Sequence, residues 1–219
     1  GQHASELFLD RADLKGIIIG GPGPTKQEFE KGDYLNYQLK QKILETVDTA
    51  YVDEQGVKEI VEKAPEIMRR VRYVEEKEAV QEFLYHIGHD TGLATYGEEE
   101  VKKALELGAV KTLLLSEGLD RVSVKIKCNV CKFKEEKTMH SRELLKFKAE
   151  LAGKPCPKCK TPSLQITETR DLIEEFADLA ESANAEVEMI STETEEGQML
   201  KKSFGGIAAI LRFKLQNQT

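Results

Sequence analysis

The sequence has no long apolar run. Its longest stretches, Gly16 to Ile19 and Thr112 to Leu115, are far too short to span a bilayer. The start of the chain shows no charged region followed by an apolar core, so a secretory leader is not expected and the expected location is the cytoplasm. Aromatic residues are sparse and the six tyrosines scattered, which leaves no stacking platform for bases. Positive charge is in deficit: the net charge of -7 argues against a general nucleic-acid binder, and DNA is not expected as a partner. The loop Gly20-Gly21-Pro22-Gly23-Pro24-Thr25 lacks the Gly-Lys-Ser/Thr ending of a phosphate loop. Pro22 and Pro24 also remove two N–H groups that would cradle a phosphate, so a tight turn feeding a helix is expected there.

Catalytic groupings are missing too. His86-x-x-His89 supplies only two imidazoles, and Gly88 and Asp90 mark a helix end, so a structural role is expected. His3 and His140 stand alone. The acidic pairs Glu75-Glu76, Glu174-Glu175 and Glu195-Glu196 read as solvated helix faces. A non-enzymatic protein is expected.

What is present is an alternation of helix and strand. His3 to Leu9 reads as the last turns of a helix, and Leu14 to Ile19 as a strand. Thr25, with Glu28 three residues on, reads as a capping box. The pattern then predicts a helix over Tyr34 to Thr46 and a strand over Thr46 to Val52. Val57, Ile60, Val61 and Ala64 form one face of a further helix. Val71 to Glu78 carries no turn glycine, so a helix can run through a domain boundary there. Val80, Phe83, Leu84 and Ile87 are again one helical face. Then come a helix after Gly97, stopped by Gly108, and a buried strand from Val110 to Ser116. A helix from Leu172 to Ala180, a strand from Val187 to Ser191, a short helix over Gly197 to Ser203 and a strand from Ile207 to Leu215 complete the pattern. The expected fold class is α/β, with two α/β domains, the second a layered α/β/α sandwich. An insert from about Val122 to Glu168 interrupts the second.

That insert carries every cysteine, as Cys128-x-x-Cys131 and Cys156-x-x-Cys159, with 24 residues between the pairs. Two such pairs can offer four thiolates to one tetrahedral zinc ion, and the gap leaves room for a helix over Ser141 to Leu151. Pro155 and Pro157 stiffen the second pair. Two redox dithiols, two local disulfides and an iron–sulfur site are the other readings. A cytosolic setting disfavours structural disulfides, and a redox dithiol has no use for a second copy. With all four positions filled by protein, a zinc here is structural and holds a zinc-ribbon mini-domain together. The segment from Lys125 to Lys160 holds eleven Lys/Arg against four Glu, a net +7 that leaves -14 for the remainder. One basic face on an acidic whole can meet RNA phosphates, or it can be a solvated lysine-rich surface.

Four stretches resemble the class-1 peptide chain release factors of archaea and eukaryotes. They are Leu14 to Lys26 (LKGIIIGGPGPTK), Gly88 to Gly97 (GHDTGLATYG), Ala104 to Val110 (ALELGAV) and Phe204 to Phe213 (FGGIAAILRF). They follow the family's order and spacing, and the likeness covers essentially the whole chain. The paired cysteines look like the archaeal version of the family's mini-domain; eukaryotic members generally lack them. The resemblance implies that residues 1–72 are the latter part of the middle domain and 73–219 the C-terminal domain, with the insert at about 122–168. It also implies what is missing. Neither the codon-reading domain nor the Gly-Gly-Gln tip that promotes peptidyl-tRNA hydrolysis is in this sequence; Gly20-Gly21 and Gly205-Gly206 are followed by Pro22 and Ile207. A fragment is expected, unable by itself to release peptide.

The function the resemblance implies is that of an adaptor in translation termination. Its partners would be a translational GTPase of the elongation-factor type, an ABC-type ribosome-recycling ATPase, and the ribosome, whose RNA the basic insert can contact. Phe204, Gly205 and Gly206 match a family segment implicated in the GTPase contact. Read on their own, Gly205 and Gly206 can equally make a turn, with Phe204 in the core. A ribosome-rescue paralog of the same superfamily generally lacks the cysteine-bearing insert. A free-standing zinc-ribbon RNA-binding protein would hold its affinity in Lys125 to Lys160 alone, and a nucleotide enzyme using the Gly20–Thr25 turn would bind ATP or GTP.

Overall fold

The computed structural model describes residues 1–11 and 13–215. They divide into two units, Gly1–Glu75 and Glu76–Thr219. Helix α4 runs from Glu54 to Gly88, so the division falls inside a helix, with Pro65 within its span.

The first unit starts with α1 (Gln2–Phe8). Strand β1 (Ile17–Gly21) pairs in parallel with β2 (Ile43–Asp48), Ile17 opposite Ile43 and Gly21 opposite Asp48. Between them lie α2 (Thr25–Lys31) and α3 (Tyr37–Lys40). Three expectations need correction here. The cap of α2 is Pro24, not Thr25: the Pro24 carbonyl accepts the N–H of Gln27 and Glu28, and no side chain caps the helix. The helix expected over Tyr34 to Thr46 is only the turn Tyr37–Lys40, started by Asn36, whose Oδ1 accepts the Gln38 N–H at 2.9 Å. The strand expected over Thr46 to Val52 instead runs from Ile43 to Asp48, because pairing with β1 overrides the local helical spacing of residues 43–45. The helix expected from Val57, Ile60, Val61 and Ala64 is present within α4, with Val57 and Val61 exposed, at 59% and 63%, and Ile67 buried.

In the second unit the sheet is made of β3 (Ala94–Tyr96), β4 (Val110–Ser116), β8 (Glu186–Ile190) and β9 (Ile207–Leu211), in the order β3-β9-β4-β8. Strands β4 and β8 are parallel, and β9 runs antiparallel to β4 and β3. Strand alternation sorts the side chains onto two faces. Leu113, Leu115, Ile207 and Ala209 join Val101 and Ala104 of α5 (Glu98–Glu106) and Phe176 and Ala180 of α7 (Leu172–Ser182). Leu114, Ala208 and Ile210 join Val80 and Phe83 of α4 and Leu200 of α8 (Glu195–Phe204). Helices therefore cover both faces, which makes a layered α/β/α sandwich. Each of these leucines is fully buried, worth roughly 1.5–3 kcal/mol of transfer free energy. The β9 strand ends at Leu211, four residues before the expected Leu215.

The insert is a three-stranded antiparallel sheet in the order β6-β5-β7, from β5 (Arg121–Cys128), β6 (Lys134–His140) and β7 (Leu164–Asp171). Helix α6 (Leu144–Leu151) follows a short 3-10 turn, Ser141–Glu143, inside the expected helical segment. Its small core is Val122, Val124, Ile126, Leu151 and Leu164 together with Cys128 and Cys156. Among the described residues no helix is long and apolar enough to cross a membrane.

Candidate metal centre and the end of helix α8

Cys128 closes β5, and Cys131, Cys156 and Cys159 sit in two turns beside it. The turns are built alike. Cys128 N–H donates to the Phe133 carbonyl (2.8 Å) and Cys156 N–H to that of Thr161 (2.9 Å). Lys132 N–H donates to the Cys128 carbonyl (3.1 Å) and Lys160 N–H to that of Cys156 (2.9 Å). Lys132 and Lys160 both take the left-handed conformation, at φ 61° and 62°. Each turn thus presents its two sulfurs to one side, and all four sulfurs lie within 4.8 Å of one another.

Geometry separates the chemical readings. All four are free thiols, and the sulfurs of Cys128 and Cys159, and of Cys131 and Cys156, are 3.6 Å apart, far beyond a disulfide. Zinc–sulfur bonds of about 2.3 Å give a tetrahedral edge of about 3.8 Å, so the donors match a single ion of that size. A multi-iron cluster, ligated at separate corners, needs wider spacing.

Electrostatics point the same way. The N–H of Cys131, with the Ser163 hydroxyl and the Val130 N–H, holds the Cys128 thiol down to about 6 against the effect of burial. The Thr161 hydroxyl and N–H lower Cys159. The Phe133 N–H draws Cys131 down, yet burial and hydrogen bonds with Cys128, Cys156 and Cys159 carry it up to about 11. Two of the thiols are thus favoured as thiolates while Cys131 beside them resists losing its proton, a conflict that a dication removes.

The second candidate segment ends α8. Phe204 is half-buried and packs edge-on against Phe83 at 5.0 Å and Tyr96 at 5.1 Å. Gly205, exposed, takes φ 74°, and the Gly206 N–H donates to the Leu200 carbonyl at 3.0 Å, closing the helix. Gly206, buried at φ 81°, accepts the Ser116 N–H at 2.9 Å. Phe204 is therefore tied to the core, and the exposed part of this aromatic group is Tyr96, 48% accessible. Tyr96 lies more than a hundred residues upstream, and sequence reasoning passed over it.

The other singled-out residues have structural employment. His86 Nδ1 lies 2.9 Å from Thr91 Oγ1, and His89 Nδ1 2.9 Å from the Tyr85 carbonyl, at the end of α4. Lys26 turns inward to the Gly23 carbonyl and Asp48, each at 2.5 Å, and its hydrogen bond and charge lower the Asp48 pKa. Of the insert's lysines, Lys125 pairs with Glu168, Lys137 with Glu135 and Lys146 with Glu150. Lys134, Lys148, Lys154, Lys158 and Lys160 are exposed and make no ion pair among the described residues. The hydroxyls of Thr161 and Ser163, which touch the sulfurs, were not anticipated; the only trace in the sequence is their place just after Cys159.

An α/β/α sandwich interrupted by a four-thiol insert, and preceded by a separate α/β unit, defines a two-domain class of protein. Residues 1–70 match the family model for eRF1 domain 2, and residues 73–215 that for eRF1 domain 3. The chain belongs to the eRF1 family. It is 54% identical over 219 residues to a Thermococcus sibiricus protein named peptide chain release factor subunit 1, covering 99% of this chain and 52% of that one. It thus spans about half the length of the curated relatives it matches. A solved C-terminal domain of a peptide chain release factor from Methanosarcina mazei is 38% identical, with a TM-score of 0.64 over 75% of this chain and 98% of that one. An archaeal Pelota, solved as a model of its ribosome-bound form with ABCE1, is 24% identical with a TM-score of 0.54, covering 98% of this chain and 48% of that one. That likeness is one of fold.

Proposed function

We propose that this chain is the coupling portion of a translation termination factor. We read residues 1–72 as the latter part of the middle domain and 73–219 as the C-terminal partner-binding domain, with a zinc ribbon at about 122–168. The observation that carries the reading is the match of both units, in order, to the family's second and third domains. The relative named above supports the role in termination.

The chain acts without catalytic residues of its own, as a cytoplasmic adaptor. Its partners are a translational GTPase of the elongation-factor type, an ABC-type ribosome-recycling ATPase and the ribosome. Cys128, Cys131, Cys156 and Cys159 hold a structural zinc ion, which fixes the two turns and closes the insert. Phe204 packs from below to hold Tyr96 and Gly205 at the surface where the GTPase docks. An exposed ring beside a residue without a side chain lets a partner backbone approach closely. The exposed lysines of the insert meet ribosomal RNA through its phosphates.

The experiment is calorimetric titration of the zinc-loaded chain with an archaeal elongation-factor-type GTPase carrying a GTP analogue. Tyr96→Ala and Gly205→Ala are the informative variants, because Phe204→Ala also removes a packed ring. Saturable one-to-one binding, weakened by either variant while it remains folded under the conditions of the titration, is the expected outcome. Absence of binding by the folded wild type removes the GTPase role from this part of the molecule.

A further inference from the structure

Thr161, Pro162 and Ser163 directly follow the second cysteine turn. Ser163 N–H donates to the Thr161 carbonyl at 2.9 Å, a three-residue turn around a proline whose φ is fixed. The turn sets the two hydroxyls 3.1 Å apart. From there Thr161 Oγ1 reaches Cys159 Sγ at 2.8 Å and Ser163 Oγ reaches Cys128 Sγ at 3.0 Å. One chain of contacts therefore runs from the second turn to the first.

Ser163 is anchored from both sides. Its carbonyl accepts the Asn129 N–H at 3.0 Å, inside the first turn, and the next residue, Leu164, pairs with Cys128 in the β5–β7 register. Cys131 and Cys156 have no such hydroxyl; their sulfurs face each other. The pattern is asymmetric, with one hydroxyl-bonded cysteine from each turn.

Metal binding changes how the hydrogens along this chain of contacts are shared. There are three contacts and two hydroxyl hydrogens. In the metal-free protein the Cys159 thiol can donate the third hydrogen. Once a metal takes the sulfurs as thiolates, both hydroxyls have a charged acceptor, and each is best used pointing at sulfur.

We propose that Ser163 is a positioning residue for the metal, donating its hydroxyl hydrogen to Cys128 Sγ across the two turns, with Thr161 its weaker counterpart at Cys159. The inference rests on the structural-zinc reading above. Exposure ranks the two: Ser163 is half-buried, whereas Thr161 is exposed and water can take its place. Outer partners of this kind typically change metal affinity by about 10–100-fold.

The test is cobalt titration, and zinc competition against a chromophoric chelator, on the intact chain and on Ser163→Ala, Ser163→Thr and Thr161→Val. Ser163→Ala is expected to weaken zinc at least about tenfold and to move the sulfur-to-cobalt charge-transfer band to lower energy, since an unbonded thiolate gives up charge more readily. The band is read at saturating cobalt, so it separates an electronic effect from a mere loss of folding. Ser163→Thr keeps the hydroxyl and should restore the wild-type band, and Thr161→Val should have the smaller effect. Unchanged affinity and band in Ser163→Ala overturn the assignment while leaving the zinc site intact. A folded wild type that takes up neither cobalt nor zinc at one-to-one overturns the zinc reading, and this inference with it.

Discussion

Replacing each glycine at the end of α8 by alanine separates its two roles. Gly206 is buried at φ 81°, and a Cβ built there lies 3.3 Å from Ser116 Cβ and 3.4 Å from Leu119 Cδ1. Left-handed backbone costs an L-residue about 1–2 kcal/mol, and the tight methyl adds about 1 kcal/mol of overpacking. Gly206→Ala should therefore lose about 2–3 kcal/mol. Gly205 has φ 74° but nothing within 4 Å of a built Cβ, so only the conformational part applies, about 1–2 kcal/mol. Urea unfolding followed by far-UV circular dichroism gives both values, read from shifts in midpoint at constant slope. On the docking proposed above, the binding titration should rank them the other way, because only the Gly205 methyl would then stand at the interface. A Gly205→Ala loss of stability equal to or larger than that of Gly206→Ala refutes the reasoning, since the buried contacts would then contribute nothing.

With zinc held as proposed above, its removal should act locally. A metal joining Cys131 to Cys156 closes a loop of 25 residues, worth about 3–4 kcal/mol in chain entropy by analogy with a disulfide. Adding a strong chelator, or Cys156→Ser, is expected to lose amide protection across β5, β6 and β7 while β4 and β9 stay protected, as hydrogen exchange will report. Glu76 is 1% exposed and accepts the Ser191 N–H at 2.8 Å; Glu76→Ala strands that donor and should lower stability by about 1–3 kcal/mol in thermal unfolding. Burial works against the Glu175 carboxylate, but the hydrogen bond from Lys102 at 2.7 Å, the Ser123 hydroxyl and the charges of Lys102 and Lys125 together lower its pKa. Its stabilisation is therefore present above the ordinary value of 4.5 and lost as pH falls through the lowered one. Urea midpoints of the wild type should fall across that acid range, and those of Glu175→Gln should fall less.

The sequence by itself determined the elements that carry a strong local signature. The β4 strand is marked by the buried triplet Leu113 to Leu115, α5 sits between Gly97 and Gly108, and the Val80, Phe83, Leu84, Ile87 face packs into the core as its spacing requires. The two Cys-x-x-Cys pairs announced a single cluster because a tight turn can present both of its sulfurs to one side whatever surrounds it. Local spacing failed in the first unit. Ile43 to Glu45 continue a helix-compatible pattern, and only pairing with β1 draws them into the strand. Tertiary structure alone decided three further things. It made Phe204 a packed ring and Tyr96 the exposed one, because Phe83 and Tyr96 converge on Phe204 from distant positions. It turned Lys26 inward to Asp48. It set the Ser163 hydroxyl against Cys128, 35 residues away, through the register of β5 with β7. Patterns within one turn of chain are written in residue types, whereas contacts between strands depend on a register that no local window contains.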